Sequence, residues 1–81
     1  METSVAVISI IVEDTGIVEI LNGILHNYGQ YIIGRMGIPY KQKDINIICV
    51  VMDAPMDAIN ALSGALGRIR GISTKVAYSK K

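Results

Sequence analysis

The stretch from Asp44 to Asp53 constrains the fold of this chain most strongly, because seven of the eight residues between the two aspartates are apolar. Isoleucine and valine recur in it, only Asn46 interrupts it, and it holds neither Gly nor Pro. A short run of this composition favours a strand, whose successive side chains point to opposite faces of a sheet. Both faces would be apolar, so the sequence predicts a strand that needs cover on both sides.

Ser4–Val12 is a second stretch of this kind, and two such strands side by side suit the centre of a sheet. Tyr31–Tyr40 makes a poorer strand. Its Gly34 and Gly37 suggest a bulge or a close approach of another backbone. Pro39 cannot donate a ladder hydrogen bond, so we place this strand at a sheet edge, in a hairpin with the central strand.

The first helix follows the acidic turn that begins at Glu13. Asp14 or Thr15 can cap it, because a short side-chain oxygen accepts a hydrogen bond from a free N–H of the first turn. Apolar residues then recur at helical spacing, namely Ile17, Leu21, Ile24 and Tyr28. Gly29 is predicted to end the helix in a left-handed conformation.

The second helix opens at Pro55, whose missing N–H costs nothing in a first helical turn. Gly64 and Gly67 lie within this helix and are expected to permit close packing between helices. Gly71 ends the segment. Ile72–Ser79 then alternates apolar with mostly polar or small residues, which predicts a last strand with one apolar face.

These elements give the order β-α-β-β-α-β within one domain that spans residues 1–81. Right-handed crossovers place both helices on one face of a four-stranded antiparallel sheet, with Ser4–Val12 and Ile45–Met52 in the middle. The predicted class is therefore α+β, with a ferredoxin-like arrangement.

The sheet face without helices is expected to be exposed and apolar. It would carry either Ile8, Ile10, Ile48 and Val50 or their neighbours of opposite parity, such as Ile47. Apolar patches beyond a few hundred Å² are rare on soluble monomers, and the apolar fraction of 51% is high for a domain of 81 residues. We therefore expect a homo-oligomer that assembles through this helix-free face.

The net charge of +1 indicates no particular partner. Residues 1–34 hold only acidic charges and residues 68–81 only basic ones, which we interpret as a solvated tail and strand edge rather than a nucleic-acid patch. The single cysteine excludes an internal disulfide and fits a reducing compartment. No secretory signal is visible at the N-terminus, and no apolar run approaches the ~20 residues of a membrane helix. We expect a cytoplasmic protein without a membrane partner.

His26 and Cys49 are the only soft metal ligands in the sequence. A lone His late in a helix and a lone Cys within a core strand do not form a zinc pattern. No nucleophile–base signature and no Gly-rich phosphate loop stands out. We therefore predict a non-enzymatic protein with no catalytic residue, no cofactor and no metal. A metal-sensing module that combines His26 and Cys49 across subunits stays open as an alternative.

The segments YIIGRMGIPY and LSGALG, within HNYGQYIIGRMGIPY and DAPMDAINALSGALGRIRGISTKVAYSKK, resemble the iron-only hydrogenase system regulator family over nearly the whole chain. That family is similar to ACT domains and to the C-terminal domain of the nickel-responsive regulator. The resemblance implies an ACT-like regulatory domain of the iron-only hydrogenase system that acts as a homo-oligomer by binding a small effector or a protein partner. ACT domains bind small effectors, often amino acids, between subunits. This chain has one His and no DNA-binding arm, so neither the nickel site nor direct DNA binding carries over.

The resemblance and the local chemistry together place an effector site at the turn Glu13–Ile17. A first helical turn offers free N–H groups to a carboxylate, Gly16 lets a ligand approach the backbone, and Glu13 or Asp14 could meet an ammonium group. The guanidinium of Arg35 could donate two parallel hydrogen bonds to the carboxylate of the ligand from the opposite wall of the site. The full set of predicted effector-binding residues is Glu13, Asp14, Thr15, Gly16, Ile17, Gly34, Arg35 and Gly37. A plain capped turn, within a purely structural oligomerisation domain, is the remaining alternative.

Overall fold

The computed structural model describes residues 2–79. Four strands and two helices follow one another in the predicted β-α-β-β-α-β order, which confirms the ferredoxin-like α+β class. These elements are β1 (Ser4–Val12), α1 (Val18–Asn27), β2 (Ile32–Tyr40), β3 (Ile45–Ala54), α2 (Met56–Gly67) and β4 (Ile72–Tyr78). Short 3₁₀ turns occupy Thr15–Ile17, Gly29–Tyr31 and Lys41–Lys43. None of the helices among these residues has the length and apolar character that a membrane-crossing helix requires.

The sheet has the strand order β2-β3-β1-β4, and every neighbouring pair is antiparallel. The two strands predicted to be central are central, and each pairs with a neighbouring strand along both of its edges. Pro39 lies on the edge strand β2, as predicted. The regular pairing of β2 with β3 is interrupted between Ile32 and Gly34, where one residue is bulged.

The hydrophobic core lies between one face of the sheet and the two helices. Its strand members are the even-numbered residues of the two central strands: Ala6, Ile8, Ile10, Val12, Ile48, Val50, Met52 and Ala54. The helices contribute Leu21 and Leu25 from α1 and Ile59, Leu62 and Leu66 from α2. Burying a side chain of this size contributes roughly 1.5–3 kcal/mol, so this layer supplies most of the apolar stabilisation of the single chain.

Left-handed backbone occurs at Asp44 and Gly71 among the described residues, and not at Gly29. The prediction for Gly29 was wrong, because α1 ends at Asn27 and a separate 3₁₀ turn follows it. Gly71 has a φ of 86°, and a Cβ added there would lie 2.7 Å from the Cβ of Asp14. Both its conformation and its surroundings therefore require glycine at position 71.

The two glycines of α2 do not serve close helix packing, so that prediction was also wrong. A Cβ on Gly67 would meet no atom within 4 Å, and one on Gly64 would meet only the side chain of Arg68, at 4.0 Å. Both glycines are exposed, because the packed stripe of α2 runs through its leucines and Ile59 on the other side of the helix.

Candidate functional site

The sheet face that carries no helix is apolar across three of its four strands, and we call it the open face. The register places the odd-numbered residues of β1 and β3 on this face, together with the even-numbered residues of β2. Its apolar members are Val5, Val7, Ile11, Ile45, Ile47, Cys49, Val51, Met36, Ile38 and Tyr40. Of the two parities that the sequence left open, the structure exposes the one that contains Ile47.

The large side chains of the open face are substantially exposed. Ile11 is 43% exposed, Ile38 44% and Ile47 37%, and these three stand side by side on neighbouring strands. Met36 and Tyr40 on β2 are 57% and 41% exposed. The patch spans about 14 Å across three strands and about 26 Å along them, or roughly 400 Å² in projection. A contiguous apolar area of this size is comparable to the largest patch on a typical monomer, and such a patch often serves in binding.

The total surface of the chain is large for its mass. The accessible area is 5452 Å² for 8.8 kDa, whereas a folded monomer of that mass is expected to expose about 4,800 Å². The chain therefore exposes roughly 700 Å² more than a compact monomer of its mass is expected to expose.

The turn between β1 and α1 is held by the loop that precedes β4. The backbone N–H groups of Glu13 and Asp14 both donate to the carbonyl oxygen of Gly71, at 2.7 and 3.2 Å. The Oδ1 atom of Asp14 accepts a hydrogen bond from the N–H of Gly16 at 3.0 Å. Asp14 therefore caps the 3₁₀ turn Thr15–Ile17, and its carboxylate already occupies part of the anion-binding position that the sequence suggested.

The exposure of this turn leaves room for a ligand. Glu13, Asp14, Thr15 and Gly16 are exposed, and Ile17 packs partly against the core. A Cβ on Gly16 would lie 3.2 Å from the Oδ1 atom of Asp14, so a larger side chain there would displace the capping carboxylate.

Arg35 lies away from this turn within one chain. It is opposite Val50, which is in turn opposite Ile8, so it stands four residues, or about 13 Å, from the level of Val12 along the strands. Its guanidinium donates to the Oδ1 atom of Asn22 on α1. The sheet therefore places Arg35 on the helix-covered side at mid-strand, where its side chain is bound to α1.

Gly34 and Gly37 lie on the same edge strand but on opposite faces of the sheet. Gly34 pairs with Val51 on the open face, whereas Gly37 pairs with Ile48 on the helix-covered side. A Cβ at either position would meet no atom within 4 Å. No pocket forms among residues 2–79, so the single chain does not join these glycines and the turn into an enclosed binding site.

The sheet separates the two candidate metal ligands. His26 is exposed in the last turn of α1, in the helix layer. Cys49 is partly buried on the open face, opposite Ser9. Within residues 2–79 no three His, Cys, Asp or Glu side chains come close enough together to hold a metal ion.

A family model and a solved structure that match this chain both indicate the same protein family. The family model described as "TM1266-like: Iron-only hydrogenase system regulator, putative" matches residues 4–76. Among solved structures, the chain is similar to the uncharacterized protein TM1266 from Thermotoga maritima, with 32% identity and a TM-score of 0.92, over 98% of this chain and 100% of that chain. No curated protein matches. The match of fold, length and sequence shows that this chain belongs to the TM1266-like family, whose description is that of a regulator of the iron-only hydrogenase system.

Proposed function

We propose that this chain is a non-enzymatic regulatory domain of the iron-only hydrogenase system that acts as a homo-oligomer and responds to a small effector such as an amino acid. The description of its family supports the regulatory role. The open face supports the oligomer and is the observation that carries the proposal. A domain that leaves a second apolar layer uncovered acts through whatever covers that layer.

The free energy gained by covering the open face is comparable to the cost of association. Covering a large apolar side chain contributes roughly 1.5–3 kcal/mol when burial is complete. Ile11, Ile38, Ile47 and Met36 are each about half exposed, and a symmetric pair covers all four in both copies. Together they contribute about 6–12 kcal/mol, against an estimated 4–15 kcal/mol for the freedom lost on association.

The effector site we propose is the exposed turn Glu13–Ile17. An amino acid fits it better than a simple anion, because an ammonium group can meet Glu13 while a carboxylate lies near the positive end of the α1 dipole. The capping carboxylate of Asp14 disfavours a bare anion. Arg35 of another chain would complete the site by donating two hydrogen bonds to the carboxylate of the amino acid.

A calorimetric titration with a panel of amino acids tests the effector site. We expect one or a few members to bind wild-type protein and to lose binding in Gly16→Val, because the added side chain displaces the Asp14 carboxylate and blocks the backbone. Gly23→Val is the matched control, since position 23 is exposed in mid-helix with open space around it. Binding that survives in a folded Gly16→Val protein would place the site elsewhere. A folded oligomer that binds no member of the panel would favour a purely structural oligomerisation domain.

A further inference from the structure

We propose that a second copy of this chain covers the open face with its strands antiparallel to those of the first. In this arrangement the two-fold axis lies between the sheets and runs across the strands at the level of Ser9 and Cys49. The inference rests on the homo-oligomer of the proposed function and specifies how its two faces meet. A gradient of side-chain size along the open face carries it, and the charges at the two ends and the edge of the face are compatible with it.

Side-chain size changes steadily along the open face. Reading across the strands, one row consists of Ile38, Ile47, Ile11 and Ser73. The next row is Met36, Cys49, Ser9 and Lys75, and the one after it is Gly34, Val51, Val7 and Ala77. The face is thus bulky at one end and shallow at the other, with the row of Cys49 between the two.

A two-fold axis along the row of Cys49 places the large side chains of one copy against the small side chains of the other. It lays the isoleucine row of one copy over the row of Gly34 and Val51 of the other, and the same contact repeats on the other side of the axis. An axis parallel to the strands would instead lay isoleucine on isoleucine and valine on valine. Close-packed interiors favour the arrangement that interleaves large with small side chains, since voids and overlaps are both destabilising.

The charge at Asp53 is compatible with the antiparallel orientation. Asp53 lies opposite Val5, two rows from Cys49 towards the shallow end of the face. Two rows from Cys49 in the other direction, Tyr40 pairs with Ile45 next to the hairpin that carries Lys41, Lys43 and Asp44. The antiparallel orientation brings Asp53 of one copy over Ile45 of the other, at the end of the sheet where these two lysines lie.

The polar strand β4 forms the rim of this interface. Its open-face residues are Ser73, Lys75 and Ala77, in contrast to the apolar side chains of the other three strands. Lys75 lies in the row of the axis and therefore faces Lys75 of the other copy. Both lysines lie on the sheet edge, where their long side chains can keep the ammonium groups apart and in solvent. A typical interface has this form, with an apolar centre and a polar rim.

The spacing between packed sheets determines the chemical probe for this arrangement. Two sheets pack face to face about 10 Å apart, whereas the Cα atoms of a disulfide lie at most about 7 Å apart. Cys49 of the two copies would therefore face one another across the axis without forming a disulfide. A short bifunctional maleimide can span the gap between them, so cross-linking with that reagent reports on the arrangement.

Cross-linking of cysteine variants decides between the orientations. In a Cys49→Ala background, Ile47→Cys and Val51→Cys are produced separately and also co-expressed, and covalent dimers are identified by intact mass. We expect the mixed dimer to form efficiently and each single variant to cross-link poorly, because the same residue of the two copies is offset by about 13 Å along the strands. Wild-type protein, through Cys49, should cross-link well, and Cys49→Ala alone should not.

The outcomes separate this inference from the proposed function. Efficient cross-linking of Ile47→Cys with itself, when wild-type protein also cross-links through Cys49, would overturn the antiparallel orientation and leave the open-face oligomer in place. Failure of Cys49 to cross-link in wild-type protein would overturn the open-face interface itself. Cross-linking of wild-type protein through Cys49, together with efficient formation of the mixed dimer and poor cross-linking of each single variant, would support both the open-face interface and the antiparallel orientation.

Discussion

The two faces of the central strands have nearly the same composition, but one is buried and the other is exposed. Ile8 and Val50 point to the helices and are fully buried, whereas Ile11 and Ile47 point the other way and are 43% and 37% exposed. The two helices can cover one face of a four-stranded sheet and no more. The apolar pattern of a strand therefore reflects every surface that packs against it, including surfaces that the single chain does not supply.

Adjacent residues of β3 offer the strongest test of this difference. Val50→Asp should abolish folding, because an unpaired carboxylate in the helix-covered core costs more than a small domain can lose. Val51→Asp changes the next residue on the open face and should leave a folded monomer. Circular dichroism with thermal melting measures both variants. Equal loss of structure in the two would contradict the assignment of the faces.

A charge at the centre of the open face should break assembly without breaking the fold. Ile47→Lys is expected to weaken self-association on the order of 100-fold or more, since a lone charge buried at an interface costs several kcal/mol. Ile47→Val keeps the shape and polarity and should retain most of the affinity. Sedimentation of the two variants measures the effect. An Ile47→Lys protein that assembles like wild type would show that the open face is not the interface.

Gly71 lets stability and assembly be separated. Gly71→Ala should cost about 1–3 kcal/mol of folding free energy, because alanine strains a backbone at positive φ and its Cβ would meet Asp14. The open face is untouched, so folded protein should keep the wild-type association constant. Chemical denaturation and sedimentation give the two quantities. A changed association constant with unchanged stability would contradict this division.

The smallest expected effect concerns the turn between β1 and α1. Asp14→Ala removes the hydrogen bond from Gly16 to the capping carboxylate and should cost about 1 kcal/mol of stability. Asp14→Asn retains a capping oxygen and should recover most of it. Thermal unfolding of the three proteins checks the prediction. A full loss in Asp14→Asn would indicate that the charge, and not the cap, matters here.

The sequence was sufficient for the architecture because the strands differ in how many of their faces are apolar. Ser4–Val12 and the strand that begins at Ile45 are apolar on both, which suits the middle of a sheet, and Pro39 excludes its strand from the middle. Which parity of the central strands faces the helices could not be predicted from those strands alone. The discriminating signal is in β4, whose Lys75 stands opposite Ser9, and it can be interpreted only once the register is known.

The candidate site was harder to predict than the fold, for a geometric reason. Sequence shows that Arg35 and the turn at Glu13 have complementary charges, but not that they lie at different levels of the sheet. The bulge next to Gly34 also shifts which residues of β2 face the helices. Residue types suggest a chemistry, whereas the register decides which of those residues can meet within one chain.

Sedimentation velocity of wild-type protein at micromolar concentration tests the central claim most directly, since that claim is that the open face binds a second copy. We expect a species of at least twice the mass of one chain, which Ile47→Lys converts to a folded species with the mass of one chain. Wild-type protein that sediments as a compact monomer under these conditions would contradict it.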